Sequence, residues 1–76
     1  MKISLYPNPA ENEINIHSLN QSISFKEFKI FDLSGKMIFE TTNVNKAINI
    51  SKLDTGQYIF LATDANSKIT QKIFEK

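Results

Sequence analysis

The sequence predicts an all-β sandwich of about seven short antiparallel strands. Three observations carry that prediction. Apolar residues alternate with period two in several short runs. Turn-forming residues separate these runs at intervals of roughly 8–12 positions. No stretch sustains the 3.6-residue periodicity of an amphipathic helix.

The elements follow in order. Ile3-Ser4-Leu5-Tyr6 reads as a first short strand, and Pro7-Asn8-Pro9 ends it. Proline has no amide proton for a ladder and biases the residue before it toward extended geometry, so this segment belongs at an edge or outside the sheet. Glu13–Ser18 alternates, with Ile14 and Ile16 on one face and Asn15 and His17 on the other. The mostly polar 19–24 stretch is a connection. Phe25–Phe31 is a third strand, with Phe28 and Ile30 sharing one face. Asp32-Leu33-Ser34-Gly35 is a hairpin turn, its Gly placed where a positive φ is needed. Lys36–Thr41 returns. Its consecutive apolar residues Met37, Ile38 and Phe39 suit a strand partly covered on both faces.

Beyond the polar 42–45 loop, Lys46–Ile50 is a short strand with Ile48 and Ile50 inward. Ser51–Gly56 turns the corner into Gln57–Thr63, the strongest strand, where Tyr58, Phe60 and Ala62 line one face. Asp64-Ala65-Asn66-Ser67 is a second hairpin turn, and Lys68–Glu75 is the last strand. On this strand Ile69 and Ile73 face one way, and Thr70, Lys72 and Phe74 the other.

Asp54-Thr55-Gly56-Gln57-Tyr58 has the form of a tyrosine corner, in which a Tyr hydroxyl bonds to backbone a few residues upstream and fixes the arch between two sheets. This narrows the expected fold to an immunoglobulin-like sandwich with Greek-key connections. Phe60 stands where antibody domains place a cysteine, so an aromatic core residue replaces the disulfide.

With 76 residues the chain is expected to form one domain, 1–76, with a small core and no deep cleft. It has no cysteine, which excludes disulfides, thiol nucleophiles and Cys-based zinc sites. The formal charge is +1 and every basic residue is Lys, which argues against nucleic-acid binding. No apolar run has the roughly 20 residues of a membrane-spanning helix. The first residues lack the apolar stretch of an export signal, so such a signal would sit on other sequence.

Catalytic patterns are missing. The one histidine, His17, lies on a polar strand face with no Ser–carboxylate pattern beside it. Asp32, Asp54 and Asp64 stand in turns, where a carboxylate accepts nearby amides, and no Asp-rich calcium loop occurs. Gly35 and Gly56 belong to no phosphate-binding pattern and read as turn glycines. Neither an enzyme, a cofactor nor a small-molecule substrate is expected. Lys68, Lys72 and Lys76 recur every fourth residue. On a strand this places them on one face, as edge protection or as a docking surface. Phe31, Phe39 and Phe74 are the candidate exposed aromatics, which leaves a glycan- or protein-binding accessory module as the alternative function.

Several segments together resemble the type A C-terminal sorting domains of the type IX secretion system. Tyr6-Pro7-Asn8-Pro9 is similar to the family's opening, and Ile14-Asn15-Ile16 fits the strand after it. Phe28–Lys36 resembles its middle motif, Leu53-Asp54-Thr55-Gly56-Gln57-Tyr58 its Leu-x-x-Gly-x-Tyr block, and Lys72–Lys76 its basic-apolar ending. Phe31 replaces a frequent Tyr. The resemblance implies a domain at the end of a larger exported cargo protein, a secretion signal that carries the cargo across the outer membrane. The implied partners are the outer-membrane translocon, a shuttle protein and a sortase-like cysteine peptidase that removes the domain. The cargo would pass through the periplasm to the cell surface or the medium. The candidate recognition and motif residues are Tyr6, Pro7, Asn8, Pro9, Gly35, Gly56, Tyr58, Lys72, Phe74 and Lys76.

Overall fold

The computed structural model describes residues 3–7, 11–18, 24–44 and 47–76. Seven strands make up its regular structure: β1 (Ile3–Tyr6), β2 (Glu13–Ser18), β3 (Phe25–Asp32), β4 (Met37–Thr41), β5 (Ile48–Asn49), β6 (Gln57–Asp64) and β7 (Ile69–Glu75). No helix occurs among the described residues. The strands form two antiparallel sheets, ordered β1-β2-β5 and β4-β3-β6-β7. The chain passes between sheets after β2, β4 and β5, while β3–β4 and β6–β7 are hairpins. This is the expected immunoglobulin-like, Greek-key sandwich.

Alternation decides which side chains enter the core. Ile14, Phe28, Ile30, Phe60 and Ala62 are fully or almost fully buried, and Ile3, Leu5, Ile48, Ile50, Tyr58 and Phe74 complete the cluster. Each large apolar side chain removed from water contributes about 1.5–3 kcal/mol. Ring contacts tie the centre together, with Phe28 and Phe60 centroids 5.1 Å apart and Phe25 and Phe28 5.5 Å apart. Among the described residues no buried side-chain nitrogen or oxygen lacks a partner.

The strand ends differ from expectation where side chains compete with the ladder. Lys36 belongs to the turn and not to β4, because its amide and carbonyl both bond back to Asp32. The expected strand Lys46–Ile50 shrinks to Ile48–Asn49, since the Asn49 carboxamide accepts the Ser51 amide and the Ile50 amide turns to Asn12 O. Lys46 lies outside the described residues, as do Asn8, Pro9 and most of the 19–24 connection. The apolar triplet of β4 has its own cause. Ile30 pairs with Phe39 and Phe31 with Met37, so Ile38 is an extra residue in a β-bulge. A bulge lets two successive residues lean toward one side of the sheet. Ile38 and Phe39 both pack on the core edge, and Met37 points outward.

Candidate functional site

The described residues among those singled out by sequence fall into four places. Tyr6 and Pro7 end β1, are exposed, and are joined by a cis peptide bond. Asn15 Nδ2 donates to Tyr6 O at 3.3 Å, which ties this end to β2. Gly35 sits in the β3–β4 turn with φ of 92°. Gly56, Tyr58, Phe74 and Lys76 come together at the 50–56 arch, and Lys72 stands apart on β7.

The arch is built from side chains that reach backbone carbonyls. The Tyr58 hydroxyl donates to Asp54 O at 2.5 Å, the bond expected of a tyrosine corner. The Leu53 amide closes a turn onto Ile50 O at 3.0 Å. Gly56 and Lys76 exchange backbone bonds at 2.8 and 3.2 Å, which extends the β6–β7 ladder beyond Gln57↔Glu75. Lys76 Nζ then crosses to the arch and donates to Ser51 O at 3.1 Å and Leu53 O at 2.5 Å. Beside this wall a cleft of about 370 Å³ opens toward β4, lined by Ile38, Phe39, Ile50, Ser51, Lys52 and Leu53.

Two expectations require correction. Phe74 is not an exposed aromatic. It is 2 % exposed and stacks on Tyr58 at 5.6 Å, because it occupies the inner face opposite that residue. Phe31 and Phe39 are half-buried. The even-numbered lysines also do not form one free stripe. Lys72 pairs with Phe60 in the register and is exposed, whereas Lys76 is half-buried and spent on the arch carbonyls.

The outer face of the large sheet carries a feature that residue-by-residue reading missed. Met37 pairs with Phe31, Phe31 with Ile59, and Ile59 with Ile73, so one apolar row crosses all four strands. Its ends, Met37 and Ile73, are 44 % and 60 % exposed. Strand alternation gives each of these residues an outward position; only the register aligns them. The next row is polar at both ends, running Glu40–Lys29–Leu61–Gln71, with Lys29 paired to Glu27 at 3.2 Å.

His17 is exposed on the outer side of β2. Among the described residues no group of three or more His, Asp or Glu is placed to hold a metal ion. Asp32 and Asp64 each bind their own turn. Asp32 Oδ1 accepts the Ser34 hydroxyl and amide and the Lys36 amide, and these bonds hold its carboxyl below the usual range.

Comparison with protein families decides the assignment. The family model for the secretion system C-terminal sorting domain matches residues 4–76. The chain belongs to the type IX secretion C-terminal sorting domains. No curated protein matches it. The sorting domain is a C-terminal secretion signal, and the accessory-module alternative is not favoured. A domain of this kind acts with the type IX machinery and marks its cargo for export to the cell surface or the extracellular space. A sorting signal is not itself an enzyme.

Proposed function

We propose that the sorting domain is read as a folded surface, with β7 as its principal edge, by the outer-membrane translocon and a shuttle protein. In this reading it forms the end of a larger cargo that has crossed the periplasm. A sortase-like cysteine peptidase then removes the domain, and the cargo is attached to the surface or released. The domain is the substrate of that cleavage.

The observation that supports β7 is its contrast with other edges. It pairs with β6 through an unbroken register from Gln57↔Glu75 to Thr63↔Ile69, and it is the last hydrogen-bonded strand of its sheet, with β1 of the other sheet nearby. Ile69 and Ile73 are each 60 % exposed on its outer face. A long, regular, apolar edge is a template for another chain unless it is guarded. Lys72 is the guarding charge and also the one basic group β7 displays at its centre. Within the motif, Gly35, Gly56, Tyr58 and Phe74 shape the fold, whereas Lys72 is offered to the partner. Tyr6-Pro7-Asn8-Pro9 marks the entry from the cargo.

The test is a reporter carrying an export signal and residues 1–76, expressed in cells with a type IX system. The reporter is expected outside the outer membrane, and Lys72→Glu is expected to hold most of it in the periplasm with no change in melting temperature. Retention of the wild-type fusion in the periplasm overturns the function. Normal export of Lys72→Glu overturns the role of β7.

A further inference from the structure

We infer that Lys76 is a positioning residue of the sorting signal. Its ammonium holds the 50–56 arch, and with it the wall of the neighbouring cleft, in the shape the secretion machinery reads. This rests on the folded-surface reading above and specifies how the end of the chain enters it.

A lysine at the end of an edge strand ordinarily extends into water, because fixing its long side chain costs rotamer entropy. Lys76 is instead half-buried, and its Nζ donates to two carbonyls of one short segment, Ser51 O at 3.1 Å and Leu53 O at 2.5 Å. No carboxylate is paired with it among the described residues, where the one ion pair joins Lys29 and Glu27. Hydrogen bonds from a charged donor are roughly twice as strong as neutral ones. The ammonium therefore satisfies carbonyls that the two-residue strand β5 leaves without a ladder.

The segment it holds is also tied locally: the Ser51 amide and hydroxyl donate to Asn49 Oδ1, and Ile50 is buried in the core. Leu53 N bonds to Ile50 O within the same turn, and the Tyr58 hydroxyl reaches Asp54 O. Backbone bonds between Lys76 and Gly56 bring the ammonium to the right place. Ser51 and Leu53 also line the cleft that faces Ile38 and Phe39. Two features distant in sequence, the end of β7 and the cleft wall, are thus joined by one side chain. Ordering of the chain to residue 76 thus adds to the arch a tie from β7 that its local bonds do not supply.

The experiment compares Lys76→Met, which keeps the length and removes the donors, with Lys76→Arg, which restores a charged donor. Both are made in the exported fusion. Amide hydrogen exchange and export are measured on the same proteins. Lys76→Met is expected to raise exchange at amides 51–56 by roughly tenfold or more, to leave the β3 and β6 amides protected, and to lower export in parallel. Lys76→Arg is expected to recover part of both. Reduced export with unchanged exchange at 51–56 overturns the inference in favour of direct contact, and normal export of Lys76→Met overturns it outright. Failure of the wild-type fusion to leave the periplasm is a different result, which removes the functional reading itself. If Lys76→Met does not fold, Tyr58→Phe loosens the same arch from its other side without altering β7's exposed side chains. It is then expected to reduce export, and unimpaired export with a loosened arch overturns the inference.

Discussion

The β3–β4 and β6–β7 hairpins turn by the same bonds with different residues. In one, the Asp32 amide donates to Lys36 O at 3.0 Å and the Gly35 amide to Asp32 O at 3.1 Å. In the other, the Asp64 amide donates to Lys68 O and the Ser67 amide to Asp64 O, both at 2.9 Å. In each, the Asp Oδ1 accepts the amides two and four positions later. The difference lies in the fourth residue and in the burial of the first. Gly35 has φ of 92° and Ser67 has φ of 67°, so the second turn places a side chain in the left-handed region. Asp64 is 6 % exposed, whereas Asp32 is half-buried near solvent. The shared element is the aspartate. Its oxygen organises the turn whether or not the backbone is relaxed, and this permits serine at a position that usually takes glycine.

If the aspartate organises both turns, its loss should hurt most where it is buried. Asp64→Ala leaves the Asn66 and Lys68 amides without their acceptor in a partly buried setting, and is expected to cost about 2–3 kcal/mol. Asp32→Ala removes similar bonds beside water, which can replace them, and is expected to cost clearly less. Urea unfolding of both variants measures the gap. Equal losses would break the comparison, since burial would then carry no weight.

The fourth position allows a reciprocal exchange. A Cβ on Gly35 would meet no atom within 4 Å, so Gly35→Ala isolates the conformational cost, about 1–2 kcal/mol. Ser67→Gly relieves a cost of that kind but gives the unfolded chain more freedom, about 0.5–1 kcal/mol, and gives up the 2.8 Å bond from Lys26 Nζ to Ser67 Oγ. A small net gain of about 0.5 kcal/mol is expected. Thermal melts of the two variants should move in opposite directions; movement in the same direction would mean that the turns do not share a conformation.

The turns also show how much of the molecule was legible in sequence. Both were readable, because an Asp followed three residues later by Gly or Ser acts through local bonds. The strands between them were readable for the same reason, as period-two alternation is a local pattern. The tyrosine corner was legible because its donor and acceptor lie four residues apart. Legibility failed where a contact spans the chain. Nothing near Lys76 announces that its ammonium ends on Ser51 and Leu53, 25 and 23 positions away. Phe74 reads in sequence as a candidate exposed aromatic, yet the register sets it against Tyr58. The apolar row from Met37 to Ile73 is likewise a property of register, with the Ile38 bulge needed to bring Met37 into line. The family's motifs mark the arch and β7, but the bonds that join them are visible only in the fold.

Acid provides the mildest test, and it bears on the Asp32 turn. The Asp32 carboxyl is held below its ordinary value of 3.8, first by the Ser34 hydroxyl and then by the Lys36 amide, which bond to the charged form. A carboxyl whose folded value is depressed stabilises the fold fully above the unfolded value. That contribution is lost as pH falls below 3.8 and through the lower folded value. Asp32→Asn keeps a side-chain acceptor but cannot titrate. The stability difference between wild type and Asp32→Asn should therefore be constant from neutral pH down to about 5, and should shrink steadily below the ordinary carboxyl value. Because the group is near solvent, added salt should reduce only the minor share due to the Lys36 charge. A difference that stays constant to the most acidic folded conditions would show that the turn depends on the shape of the acceptor and not on its charge.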